Sequence, residues 1–159
     1  MDNQVEYIFV KTSDKELINA VYRILFRCGF NMAKEFLFHW IPPYSKRAIR
    51  RDCGTKQVVI VKDNQRNEYT STFQMQIVNE KCLYASKIAT DPKFEGYGIG
   101  KTNMHFIESF AKDNGCESIR LDVYVKSSRA VRFYERNGFS IVGTKRSIRF
   151  NEYIMEKNL

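Results

Sequence analysis

Ile88-Ala89-Thr90-Asp91-Pro92-Lys93-Phe94-Glu95-Gly96-Tyr97-Gly98-Ile99-Gly100-Lys101-Thr102 is the stretch on which the fold of this chain turns. Asp91-Pro92 ends a strand, and three glycines then alternate with other residues. Met104, Ile107, Phe110 and Ala111 follow at helical spacing, and Gly115 closes the helix. A strand ends, a glycine loop turns and a helix begins. Glycine lets the backbone turn tightly and approach a ligand closely. The N–H groups of the loop and of the first helical turn have no acceptor inside the helix. With the helix dipole they make a cradle for a phosphate or pyrophosphate.

Two known phosphate-binding patterns come close and miss. A P-loop needs Gly-x-x-x-x-Gly-Lys-[Ser/Thr]; Gly100-Lys101-Thr102 supplies its end, but Glu95 stands at the first glycine. Gly-x-Gly-x-x-Gly fails by one residue from either start, ending on Lys101 or on Asn103. On these residues alone, a plain turn that only starts a helix remains an open alternative.

Working outward, residues 5–10 read as a first strand. Thr12-Ser13-Asp14 offers N-cap chemistry, Leu17, Val21, Ile24, Leu25 and Cys28 follow at helical spacing, and Gly29 reads as the stop. A second helix is predicted over 31–39, ahead of Trp40-Ile41-Pro42-Pro43, and a short basic helix over 46–51. Strands are predicted at 57–62, 68–78 and 81–90, with a turn at 63–67. Ile119, Leu121, Val123 and Val125 alternate with Arg120, Asp122 and Tyr124, which makes 118–125 a half-buried strand. A helix over 128–137 and strands at 139–146 and 148–156 complete one mixed α/β sandwich.

The 159 residues suit a single domain over 1–159. A hydrophobic share of 43% and a charged share of 28% exclude a disordered or fibrous chain. The net charge of +8 points to an anionic partner: nucleic acid, an anionic membrane surface or a phosphate-bearing small molecule. Cys28, Cys53, Cys82 and Cys116 form no Cys-x-x-Cys pair, and His39 and His105 lie in no His-Glu-x-x-His pattern, so no metal site is expected. The N-terminal Met-Asp-Asn-Gln-Val-Glu has no signal-peptide pattern, and no apolar run is long enough to span a membrane. A soluble cytoplasmic protein with reduced thiols is the expectation.

The downstream run Ser127-Ser128-Arg129-Ala130-Val131-Arg132-Phe133-Tyr134-Glu135-Arg136-Asn137-Gly138-Phe139 changes the odds. It resembles the second signature of the GNAT family of N-acetyltransferases, roughly Asn-x-x-Ala-x-x-x-Tyr-x-Lys-x-Gly-Phe. The loop at 95–100 resembles that family's acetyl-CoA motif, [Arg/Gln]-x-x-Gly-x-Gly-[Ala/Gly]. The order and separation of the two motifs agree, and the resemblance is specific over about 82–143. It implies a central, mostly antiparallel mixed sheet, splayed at the cofactor site, with helices on both faces.

The resemblance further implies acetyl-CoA as cosubstrate and no metal. Backbone N–H groups of Gly96, Gly98, Gly100 and Lys101, with neighbours Tyr97 and Ile99, would hold its pyrophosphate, and the strand edge Ile88, Ala89 and Thr90 would pair with its pantetheine arm. Tyr134 occupies the position of the usual proton donor to the departing thiolate; without the motif it would read as a helix-face aromatic in the core. Glu95 stands where the loop usually has Arg or Gln and is expected to point to solvent, with Lys93, Lys101 or Arg129 compensating. Ser127 replaces the usual Asn and is expected to cap its helix. Asp122 lies where the ribosomal-protein alanine acetyltransferase branch carries a catalytic Glu. It reads as a base acting through water or as a strand-face carboxylate paired with Arg120 or a Lys; Glu80 is a weaker alternative base.

Residues 31–56 hold Lys34, Lys46, Arg47, Arg50, Arg51 and Lys56 against Glu35 and Asp52, in the region that walls the acceptor site in the family. Such a wall repels a polycation, so the expected acceptor is an amine on a neutral or anionic molecule, unless 46–51 is simply a solvated face. Trp40, Tyr44 and Phe38 offer an apolar wall, although core packing accounts for Phe38 as well. The expected assembly is a monomer or homodimer. The competing readings are a coenzyme A-binding sensor without turnover and, last, a nucleic-acid binder, for which no signature is present.

Overall fold

Gln57–Asp63, Glu68–Asn79 and Cys82–Thr90 form strands β2, β3 and β4 of the computed structural model, which describes residues 4–159. The first three residues of the N-terminal stretch read above lie outside the described residues. Before these strands come β1 (Val5–Phe9), α1 (Lys15–Ala33) and α2 (Lys46–Thr55). After them come a 3-10 turn at Pro92–Phe94, α3 (Ile99–Asp113), β5 (Ser118–Tyr124), α4 (Ser128–Arg136), β6 (Ser140–Arg146) and β7 (Asn151–Asn158). The strands hydrogen-bond in the order β1-β2-β3-β4-β5-β7-β6. β1 pairs with β2, β5 with β7 and β6 with β7, all antiparallel. β4 and β5 are parallel neighbours, paired through Cys82–Tyr84 and Ser118–Arg120, and both strands run on beyond that pairing. The mostly antiparallel mixed sheet is the one expected.

Gly29 does not stop the first helix. A Cβ there would meet the Trp40 carbonyl at 3.1 Å and the Trp40 Cβ at 3.4 Å, so glycine serves close approach inside α1. The helix runs on to Ala33, which removes the separate helix predicted over 31–39. Its true end is a Schellman-type turn: Leu37 N–H donates to the Met32 carbonyl at 3.1 Å and Phe36 N–H to Ala33 at 3.0 Å. Phe36 takes the left-handed position, φ +62°, which glycine usually fills. The basic helix starts at Lys46 as predicted, with Ser45 as its cap, the Oγ accepting from Ala48 N–H at 3.1 Å, and it continues past Arg51 to Thr55.

Contacts divide the chain into two compact units, Met1–Gln74 with Lys87–Gly100, and Met75–Ser86 with Lys101–Leu159. In the first, Ile18, Val21, Ile24, Leu25 and Cys28 of α1 pack with Ile49, Val58, Ile60 and Ala89. In the second, Ile119, Leu121 and Val123 are buried while Arg120 is exposed, as the alternation of β5 predicts. Met104, Ile107 and Ala111 are buried on α3, joined by Asn103 where Phe110 was expected. Each such large aliphatic side chain contributes about 1.5–3 kcal/mol. The four cysteines are free thiols. No described helix is long and apolar enough to cross a membrane.

Candidate functional site

The glycine loop in the first unit is held from several sides. Asp91 N–H donates to the Thr70 carbonyl at 2.8 Å, and the Asp91 carboxylate accepts from Lys93 N–H at 3.1 Å, starting the 3-10 turn. Arg27 Nη1 reaches Asp91 Oδ2 at 2.7 Å, and the Cys28 thiol donates to the Thr90 carbonyl at 2.9 Å, so α1 is tied to the end of β4. Lys93 Nζ meets Glu68 Oε1 at 2.7 Å, which commits this cation to a partner within the fold. Tyr97 lies under the Arg66 guanidinium at 5.0 Å and edge-on to Phe94.

Gly96 and Gly98 adopt φ +83° and +76°, and a Cβ on either would meet nothing within 4 Å. The loop is therefore a left-handed backbone turn with open space over it, at the head of α3. Its peptide groups suit an incoming pyrophosphate. Glu95 is exposed, as expected. Ala89 is buried in the core of this unit, and Ile88 and Thr90 on either side of it are partly buried.

In the second unit Tyr134 packs edge-on against Phe133 and Phe139, at ring distances of 5.2 and 5.8 Å. Burial raises its phenol pKa above the ordinary value, keeping the proton on the oxygen. Asp122 is paired, but not with Arg120, which binds Glu156 on β7. The Tyr84 hydroxyl donates to Asp122 Oδ2 at 2.8 Å, and Lys145 Nζ lies 3.3 Å from the same oxygen. Oδ1 has no protein partner among the described residues. Burial, and then the bond to Asp122, raise the Tyr84 pKa.

Ser127 stands at the N-cap of α4 but does not cap it, contrary to expectation. At φ −82°, ψ 65° it lacks the extended backbone that turns a capping oxygen toward the helix, and its Oγ is buried without a hydrogen-bond partner. Such an atom costs about 1–3 kcal/mol unless something else bonds it. Arg129 is exposed on the first turn. Glu80 is exposed in the β3–β4 turn.

Two cavities accompany these groups. One, of about 310 Å³ in the second unit, is lined by the apolar Met104, Ile119 and Phe139 and by Lys101, His105 and Arg136. Lys157 also lines it, held to Glu108 at 2.7 Å. The other, of about 80 Å³ in the first unit, is lined by Leu25, His39, Trp40, Pro42, Tyr44 and Lys87. Phe38 is exposed, so it belongs neither to that wall nor to the core. Lys46, Arg47, Arg50 and Arg51 are exposed on α2, as a solvated face would be; Arg51 donates to the Tyr44 hydroxyl at 3.3 Å.

Arg27, Tyr84, Lys87 and Lys145 were not legible as site residues. Arg27 and Asp91 are 64 positions apart, and Tyr84 and Asp122 are 38 apart. Only pairing across the fold joins them.

Residues 18–139 match the family model described as the Acetyltransferase (GNAT) family. An uncharacterized N-acetyltransferase of Mycobacterium bovis is 37% identical over 86 residues, covering 51% of this chain and 54% of that protein, so the chain spans about half the length of this relative. Among solved structures, the ribosomal-protein-S18-alanine N-acetyltransferase from Escherichia coli aligns with a TM-score of 0.76 at 19% identity, covering 97% of this chain and 93% of that one. The PaiA N-acetyltransferase from Thermoplasma acidophilum, solved in complex with coenzyme A, aligns at 0.75 and 22% identity, covering 98% and 99%. These structural likenesses show the fold.

Proposed function

Because this chain belongs to the GNAT family of acetyltransferases, we propose that it is a single-domain, acetyl-CoA-dependent N-acetyltransferase acting on a primary amine. The observation that carries this is the left-handed backbone at Gly96 and Gly98, with open space where a side chain would stand, at the head of a helix. Backbone N–H groups from Gly96 to Lys101, Tyr97 and Ile99 included, hold the pyrophosphate. Lys101 follows the loop directly, as the third residue of α3, and its ammonium adds positive charge for the phosphates. Ile88, Ala89 and Thr90 pair with the pantetheine arm. Arg129 adds positive charge, and Glu95 stays in solvent.

The amine nitrogen attacks the thioester carbonyl carbon and the carbon–sulfur bond breaks. Tyr134 gives its hydroxyl proton to the departing sulfur, the role its place in the motif implies; burial keeps that proton on the oxygen and makes the phenol a weaker acid than a free tyrosine. The amine's proton passes through water to Asp122 Oδ1, while Tyr84 and Lys145 hold Oδ2 and fix the carboxylate's orientation. The acceptor is neutral or anionic, and the protein works in the cytoplasm as a monomer or homodimer. The alternative, a coenzyme A-binding module without turnover, is favoured by the pairing of Asp122 with Lys145.

Thiol release from acetyl-CoA over a panel of amines tests this. Tyr134→Phe is expected to lower kcat by about 10²–10⁴-fold and to leave acetyl-CoA binding in place. Turnover at the wild-type rate removes Tyr134 from the mechanism, and absence of thiol release with every amine favours the sensor.

A further inference from the structure

The cavity lined by His39, Trp40, Tyr44 and Lys87 has an unusual charge arrangement. Lys87 lies inside β4 with φ +50°, a left-handed backbone that a lysine adopts only where its surroundings impose it. Its ammonium stands 4.7 Å from the centroid of the Tyr44 ring. The Tyr44 hydroxyl donates to the buried Asp52 carboxylate, which fixes the ring and engages the acid away from the cavity wall. Burial, and then the charge of Lys87, lower the His39 pKa to about 4, so the imidazole is neutral at physiological pH. Leu25, Pro42 and Trp40 supply apolar wall. Lys87 is thus the one formal charge among the lining residues. The volume of about 80 Å³ is several times the roughly 10–15 Å³ that one water needs, enough for a small polar group such as a carboxylate.

We propose that this cavity receives the acceptor's carboxylate and that Lys87 reads it, so that the acceptor is a small primary amine that also carries a carboxylate, as an amino acid does. The assignment of the cavity to the acceptor rests on the acetyltransferase reading. A diamine or polyamine would bring a second ammonium against Lys87, whereas a carboxylate gains a charge-assisted hydrogen bond there.

Trp40 is the chain's only tryptophan, so its fluorescence reports directly on this cavity. The test titrates the protein with matched pairs, glycine and glycinamide, β-alanine and its amide, glutamate and its diamide, with and without acetyl-CoA. At least one carboxylate is expected to give a saturable change about 10- to 100-fold tighter than its amide, with the same ordering in kcat/KM. Lys87→Met brings each pair to within about twofold, Lys87→Gln repeats this, and Lys87→Arg restores most of the preference. Stabilisation of each variant by acetyl-CoA certifies its fold. The inference is overturned if no carboxylate gives a saturable change, if amides bind as well as acids, or if the neutral variants keep the preference. Acetylation without carboxylate preference refutes this inference alone; failure to bind acetyl-CoA or to acetylate any amine refutes the reading on which it rests.

Discussion

Replacing Arg27 by methionine strips the guanidinium from a carboxylate that has almost no access to water. The Asp91 side chain is 5% exposed, and that of Arg27 is 56% exposed. Stranding one charge of a fully buried pair costs about 3–5 kcal/mol. Here one end of the pair is wet and screened, and Asp91 keeps its bond from Lys93 N–H at 3.1 Å. About half that cost, roughly 1.5–2.5 kcal/mol, is expected, or a Tm lower by about 3–10 °C for a chain of this size. Adding Asp91→Asn removes the stranded charge and is expected to recover about 1 kcal/mol or more in a double-mutant cycle. Urea unfolding followed by far-UV circular dichroism measures all four proteins. Asp91 leads into the glycine loop, so Arg27→Met is also expected to raise the KM for acetyl-CoA severalfold with little change in kcat. A stability loss below about 0.5 kcal/mol, or additive single variants, would refute the claim that this ion pair anchors the loop.

Phe36 is 81% exposed and holds the left-handed end of α1, so Phe36→Gly is expected to raise stability by about 0.5–1 kcal/mol in urea unfolding. The pH dependence of stability should bend at both ends. His39 has its pKa lowered from 6.5 to about 4, so between those values the unfolded chain binds the proton first and stability falls as pH falls; His39→Gln flattens that limb by on the order of 1 kcal/mol. Burial first, and then Asp91 and Glu95, push the Cys28 thiol from 9.0 up to about 12. Burial first, and then Asp52, raise Tyr44 from 10.0 to about 12. Both groups release protons more readily once unfolded, so stability is full below about pH 9 and is lost as pH rises toward 12, which thermal melts across that range would read.

What the sequence disclosed depended on how local the cause was. The alternation in β5 through Val123 and the glycines at the head of α3 are local patterns, and both stand in the structure, although β5 ends at Tyr124 and leaves Val125 half-buried. Gly29 misled because a stop glycine and a close-contact glycine look alike in sequence; the carbonyl of Trp40, eleven residues on, separates them. Phe36 gave no signal at all, since glycine or asparagine is the residue expected at a left-handed helix end. Ser127 had the right residue type at the right place for a cap and the wrong backbone angles for it. Around Asp122 the sequence showed that an opposite charge was available but not which one. Arg120 lies two positions away yet points across the sheet to Glu156, and Lys145 arrives from β6, two strands over. The chemistry assigned to Tyr134 rests on the motif, which local spacing discloses; Tyr84 and Lys87 required the folded chain.

The identity of the ligand that the glycine loop accepts is the most direct test of an acetyl-CoA-dependent function. Thermal unfolding followed with acetyl-CoA, ATP and a DNA duplex, each titrated in turn, decides it. Acetyl-CoA at about a hundred times its Kd is expected to add about 2.7 kcal/mol of stability and raise Tm by several degrees, with ATP and DNA leaving the transition nearly unmoved. Stabilisation by ATP and not by acetyl-CoA would contradict the account.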